Sequence, residues 1–322
     1  MTDGNDDLTN DEPSTPPAAS GAISEISSAQ DIEEAAVATR KQIAKEQRRV
    51  LFRTPGFIIG MAILLFWVVA AVAPGLITDT DPKATVRLDD GTSLIREPPS
   101  GDAWFGTDTI GRDVFARVIH GAQPVLVVAP VATAIAIVVG SLVGLLMGYY
   151  LGLVDEVLSR FVESILSIPV ILTAILVIFT FGQSTPVIIG TIALLFSAPI
   201  ARTVRAATIS EAQLDYVTSA KMRGEGSFFI ITREILPNIT GVIVVELTVR
   251  LGYAVFTVAT LAFIGFSAGD ITEPNWGVDV SEQWERIVGE VWWPTIFPAL
   301  AIASLVIAVN LVADSIDRAT KS

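Results

Sequence analysis

LDYVTSAKMRGEGSFFIITREILPN, residues 214 to 238, separates two long apolar runs in a chain that is 51% hydrophobic. It carries Asp215, Lys221, Arg223, Glu225, Arg233 and Glu234, has glycines at 224 and 226, and ends at Leu236-Pro237, where apolar sequence resumes. Within residues 211 to 222, Leu214 and Val217 fall on one side at helical spacing with Ala220 or Met222, while Glu211, Asp215 and Lys221 lie elsewhere. That pattern predicts a short amphipathic helix at a membrane face. Gly224 follows its end and suits a left-handed C-cap that other residues adopt only under strain. A second short helix, Ser227 to Glu234, leads to Pro237, which is expected to end or kink it and turn the chain into the next span. The expected product is a helix, a glycine corner and a second helix across the mouth of a bundle. An ordinary connecting loop is the plainer alternative.

The surroundings of this insert set its context. The chain has 322 residues and a mean hydropathy of +0.59. Several of its apolar runs are long enough to cross about 30 Å of hydrocarbon. Apolar length places six spans, at Phe57–Ile77, Val125–Tyr150, Ser164–Phe181, Thr185–Ala201, Ile239–Phe266 and Pro294–Ala313. The expected fold is therefore an all-α polytopic membrane protein with six transmembrane helices. The fourth span is the shortest and the candidate for a re-entrant piece. The organisation reads as a first helix at 57–77, an external loop at 78–121, a five-helix core at 122–315 containing the loop 206–238, and a tail at 316–322.

Lys and Arg beside the spans give the orientation. Arg40, Lys41, Lys45, Arg48, Arg49 and Arg53 precede the first span and put the N-terminus in the cytoplasm. With six crossings the C-terminus is also inside, and the inner segments then carry 14 Lys and Arg against six in the outer ones. Residues 214 to 238 fall on the cytoplasmic side. The net charge of −13 does not imply a basic partner, because residues 1 to 34 hold nine carboxylates and no Lys or Arg. Residues 1–39 read as an acidic, disordered cytoplasmic tail and 40–56 as a basic juxtamembrane segment. No apolar stretch precedes residue 55, so the first span itself is expected to direct insertion. With no Cys and one His, the chain offers no disulfide, thiolate site or obvious metal site.

Outside the insert, Asp108 suits an N-cap, and Asp108 with Arg112 and Asp113 with Arg117 stand at i,i+4, where surface ion pairs form. These residues are expected to start a helix at the outer entrance of the second span, with His120 at the interface. Trp276, Trp284, Trp292 and Trp293 read as an interfacial belt or as a contact for an external partner. Glu246 and Arg250 lie at i,i+4 inside the fifth span, about 13 and 20 Å along the helix from Pro237. They are expected to pair, either to fix packing or to line a path for solute.

SAKMRGEGSFFIITREILPN resembles the EAA loop of ABC-importer permeases through Ala220, Gly224, Ile235, Leu236 and Pro237, with Thr218 and Ser219 where Glu and Ala usually stand. FGTDTIGRDVFARVIHGA (105 to 122), GYYLGLVDEVLSRFVESILSIPVIL (148 to 172), LAFIGF (261 to 266) and PNWG (274 to 277) resemble the C-type permease of dipeptide and oligopeptide importers. The resemblance covers roughly residues 50 to 316 and implies the type I permease fold with six helices. It also implies half a translocation pathway, a homologous second permease, two ATPase subunits coupled through the loop, and an external solute-binding protein that delivers peptide. The sequence has no G-x-x-x-x-G-K-[ST] phosphate loop, so ATP and Mg are expected on the ATPase subunits and no cofactor in this chain. No nucleic-acid partner is expected. The same architecture could carry a nickel chelate or glutathione. An intramembrane enzyme is the remaining class, disfavoured because no His or Cys lies within a span and Glu246 is the one acid there.

Overall fold

The structure is a computed structural model that describes residues 53 to 321 except 89, 268, 271 and 290. The expected acidic tail, 1–39, and most of the basic segment 40–56 lie outside the described residues. The helices are α1 (Pro55–Val72), α2 (Val114–His120), α3 (Ala122–Tyr150), α4 (Gly152–Leu166), α5 (Val170–Phe181), α6 (Thr185–Ala212), α7 (Asp215–Met222), α8 (Leu236–Phe263), α9 (Trp276–Gln283) and α10 (Trp293–Lys321). Among the described residues, five helical stretches are long and apolar enough to span a bilayer, and α4 with α5 makes a sixth if that bent pair is one span. "Inner" and "outer" below follow the Lys/Arg count.

Three expected spans change shape. The third does not run straight from Ser164 to Phe181: α4 and α5 meet at 89°. Pro169 is the cause, since it lacks an N–H and disfavours helix at Ile168 before it, and it takes φ −54°, ψ 130°. The 12 residues of α5 reach about 18 Å, short of the hydrocarbon thickness. The fourth span, expected to be the shortest, is a helix of 28 residues that continues past Ala201 to Ala212. Its cytoplasmic turns carry Arg205, whose guanidinium grips Asp155 of α4 with bonds of 2.5 and 2.6 Å. The first helix stops at Val72 rather than Ile77, because Pro74 opens a separate 3-10 turn.

The external segment is not loop throughout 78–121, since α2 begins at Val114, and the helix α10 continues through most of the expected tail 316–322. Among the described residues of 78–113 the backbone makes only isolated bridges, Thr85 to Arg112, Arg87 to Ser93 and Thr107 to Asp113.

The centre of the bundle is α3 against α6. Gly140, Gly144 and Gly148 recur every fourth residue, so they share one face of α3. A Cβ at 144 would lie 2.6 Å from the Ala201 carbonyl oxygen, and one at 148 would lie 2.5 Å from Thr208 Cβ. The two backbones therefore approach more closely than any side chain allows. At the outer end, Trp276 of α9 is fully buried, donates from Nε1 to the Val118 carbonyl at 2.7 Å and packs edge-on against Trp67 of α1.

Candidate functional site

The inner corner is built from backbone geometry first. Helix α7 ends at Met222, and Gly224 follows at φ +80°. Gly224 N–H donates to the Lys221 carbonyl at 3.0 Å, and Glu225 N–H to the Ala220 carbonyl at 3.2 Å. This doubly bonded termination uses a left-handed residue to satisfy carbonyls that a helix end leaves open. Arg223 Nε then donates across the corner to Glu225 at 2.8 Å.

The chain resumes as Ser227–Phe229, widens into a π-helix over Ile230–Ile235 and continues as α8. Pro237 therefore neither ends nor kinks a helix, contrary to the sequence expectation. In an α-helix its ring would press on the carbonyl of Arg233, whereas here it occupies the first turn of α8, behind the wider turns. Val217, Ala220, Ile230 and Ile235 are buried. Leu214 and Met222, expected on the same apolar side, are exposed, as are Phe228 and Phe229. The corner as a whole thus buries one narrow edge against the bundle and turns a second apolar group outward.

A polar clasp missed by the sequence reading joins the two legs of this corner. Tyr216 of α7 donates to Glu211 Oε1 at the end of α6 at 2.5 Å, and Asn238 Nδ2 at the start of α8 donates to the Tyr216 oxygen at 2.9 Å. Burial and the Glu211 bond push the phenol up to about 12, so it remains a donor at physiological pH. Lys221 sits 5.3 Å from the Tyr149 ring centre at the inner end of α3. The sequence signal was present as Tyr216 and Asn238 flanking the glycines, but nothing local says that residues 22 apart meet.

The outer residues assemble differently from expectation. Asp108 does pair with Arg112, Nε to Oδ2 at 2.5 Å, and Arg112 also reaches Glu282 at 3.2 Å. Asp108 is not the helix cap, however; its Oδ1 accepts from Ile110 N–H and Arg112 N–H in a turn. The cap of α2 is Asp113, which accepts from Phe115 N–H at 2.9 Å. Having that role, it does not pair with Arg117. Arg117 crosses to Asp279 of α9, with Nε to Oδ1 at 2.9 Å, and also donates to the carbonyls of Pro82 and Thr272. Asp108, Arg112, Asp113 and Arg117 are all buried rather than on the surface. Burial pushes the Asp279 carboxyl up to about 6, with the Arg117 charge pulling it back down.

The tryptophans split in the same way. Trp276 and Trp293 are buried and donate to the backbone of α2 and of Thr107, whereas Trp284 and Trp292 are exposed, as a belt requires. Within α8, Arg250 Nε donates to Glu246 Oε2 at 2.9 Å, with both side chains mostly shielded and the guanidinium 5.8 Å from the Tyr253 ring.

Residues 140–322 match the family described as binding-protein-dependent transport system inner membrane component. Over 265 residues the chain is 34% identical to the dipeptide transport system permease protein DppC of Bacillus subtilis (strain 168), covering 81% of this chain and 79% of that one. It is 31% identical to the protein of the same name from Alkalihalophilus pseudofirmus, covering 80% of this chain and 83% of the relative. It is 38% identical over 218 residues to the glutathione transport system permease protein GsiD of Escherichia coli O6:K15:H31 (strain 536), covering 68% and 71%.

Proposed function

Because the chain belongs to the family of binding-protein-dependent transport system inner membrane components, and is thus a multi-pass membrane subunit of an ABC importer, we propose that it carries dipeptides and short oligopeptides inward. It forms half of the translocation pathway with a homologous second permease. Two cytosolic ATPase subunits supply ATP and Mg, and an external solute-binding protein delivers the cargo. The observation that favours peptide is the likeness to dipeptide permeases over four-fifths of the chain. Likeness to the glutathione permease keeps that tripeptide as a second cargo.

The test is uptake in proteoliposomes holding the two permeases, the ATPase subunits and the binding protein. ATP-dependent accumulation of a labelled dipeptide, with weak competition by glutathione, is expected. Accumulation of glutathione alone would replace the first cargo with the second.

Coupling is assigned to Ala220, Gly224, Ile235, Leu236 and Pro237. The corner supports this reading because it offers an outward apolar group, Met222 at the end of α7 and Phe228 beyond the glycine turn, on a segment whose two ends lead into α6 and α8. A Cβ at Gly224 meets nothing within 4 Å, so substitution there acts through its positive φ alone. Gly224→Val is expected to cost the corner on the order of 1–2 kcal/mol and to raise the ATP hydrolysed per peptide imported while the chain still inserts. An unchanged ratio would make the corner an ordinary connection.

Glu246 and Arg250 are proposed to face the path, where a zwitterionic peptide offers the complementary charges. Glu246→Ala should reduce folded protein by leaving Arg250 unpaired. The exchange Glu246→Arg with Arg250→Glu should recover assembly but not peptide selectivity. Recovery of uptake with unchanged selectivity would leave the pair a packing device.

A further inference from the structure

A cavity of about 330 Å³ opens at the outer ends of α3, α6 and α8. Its walls include Val128, Ile188 and Val258, all buried, and its polar lining includes Gln123, Thr185 and Asn275. Apolar walls with a few convergent polar groups, at the lower end of ligand-pocket volumes, are the usual makeup of a small-molecule site.

Asn275 gives the cavity its chemistry. The residue is 7% exposed, and its Oδ1 accepts from Gly277 N–H at 3.1 Å as the N-cap of α9. That bond decides which way the amide is turned, because only the oxygen can accept there. Nδ2, with its two hydrogens, is left with no acceptor among the described residues. Nδ2 is not itself fully shielded, so it stands at the cavity as an amide donor that water or a ligand can meet.

Two neighbours set the sign of that ligand. Thr185 begins the 28-residue α6, and the side chain of Ser184 before it makes no capping bond, so the positive end of a long helix is open at the same wall. Glu273, the acidic residue of the lining, is engaged by Lys83 in an ion pair. Donors and a helix N-terminus beside an apolar wall fit a carboxylate attached to an apolar side chain.

We propose that this cavity is a subsite for the C-terminal residue of a short peptide entering the importer, with Asn275 Nδ2 donating to the peptide carboxylate and the valine and isoleucine walls taking its side chain. The inference rests on the peptide reading above and adds to it which end of the peptide is held and by which group. It places a first selection step on the permease, after release from the binding protein.

The test uses a dipeptide with a photoreactive C-terminal side chain, and the assembled importer in nanodiscs without the binding protein. Labelling of α3 near Gln123 and Val128 is expected, displaced by an unlabelled free-acid dipeptide at least about tenfold better than by its C-terminal amide, the ratio that one charge-assisted hydrogen bond supplies. Asn275→Asp keeps the cap, since Asp and Asn serve equally there, but replaces the donor with a like charge. It should cut labelling about tenfold or more at an unchanged amount of assembled complex. Equal displacement by acid and amide overturns the proposal without any variant. So does undiminished labelling of Asn275→Asp, or labelling by a photoreactive phospholipid that the dipeptide does not displace, which would assign the cavity to an acyl chain. Uptake of the same dipeptide by the complete wild-type importer is measured alongside. If uptake occurs and the cavity is unlabelled, the subsite fails and the transport reading stands; if no peptide is imported, the transport reading fails first.

Discussion

Replacing Arg117 with methionine is expected to destabilise the outer end of the bundle by about 3–5 kcal/mol near neutral pH, the range for removing one partner of a buried ion pair. The guanidinium is 3% exposed and ties α2 to Asp279 of α9 and to the carbonyls of Pro82 and Thr272. Without it, Asp279 becomes a shielded carboxylate with no counter-charge on Oδ1, beside an Oδ2 that already lacks a hydrogen-bond partner. The protonation of Asp279 gives the prediction a sign. In the native chain burial already raises the carboxyl from the ordinary carboxylate range to about 6. Removing Arg117 takes away the main opposing influence and raises it further. A group whose folded pKa is raised contributes stability that is full below its unfolded pKa and is lost as pH rises through the folded one. The deficit of Arg117→Met should therefore be smaller at pH 5 than at pH 8, read as the fraction of monodisperse protein surviving a heat step in detergent. The double variant Arg117→Met with Asp279→Leu should recover most of the loss at pH 8. A deficit that is the same at both pH values, or that the second substitution does not relieve, would show that the buried charge is not its source.

Gly144→Leu is expected to remove most of the folded protein. The Cβ position at 144 is 2.6 Å from the Ala201 carbonyl oxygen, 2.8 Å from Val204 Cβ and 3.0 Å from the Arg205 nitrogen. Two of those atoms are backbone, so no rotamer change relieves the clash, and α3 must separate from α6. The cost should reach or exceed about 3 kcal/mol, the upper part of the range for overpacked interiors. Gly190, on α6, is a matched control: its Cβ position meets nothing within 4 Å, and it does not have positive φ. Gly190→Ala should be neutral or gain up to about 1 kcal/mol from the reduced backbone freedom of the unfolded chain. Yield and thermal survival of both variants, measured together, separate close approach from a general intolerance of substituted glycines. Comparable loss in the two would remove the argument from helix contact.

Much of the site was legible in the sequence because its signals are local. A glycine after a helical pattern states its own backbone requirement, and Gly224 at φ +80° obeys it wherever the chain goes, whereas the Leu236-Pro237 pair does not stop the helix, because the π-helical turns before it make room for the ring. The Glu246–Arg250 pair was equally readable, since i,i+4 spacing in an apolar run leaves a charge little other company. The same spacing misled at Asp113 and Arg117. There the rule offers a permitted partner but cannot weigh it against an Asp 162 positions away.

By itself, then, the amino-acid order determined that the chain is a helical membrane protein with a polar corner between its fourth and fifth spans. Apolar length and glycine and proline geometry are properties of short segments and need no knowledge of neighbours. Only the tertiary structure decided that the third span breaks at Pro169 while the fourth extends to Ala212, where Arg205 finds Asp155 on another helix. It also decided that Trp276 is interior, that Tyr216 clasps both legs of the corner, and that Arg117 answers to Asp279. The reason is common to the polar contacts among these. A charged or polar group removed from water must find a partner. Which of several chemically equivalent partners it meets depends on which helices the packing brings side by side, and spacing along the chain carries no record of that.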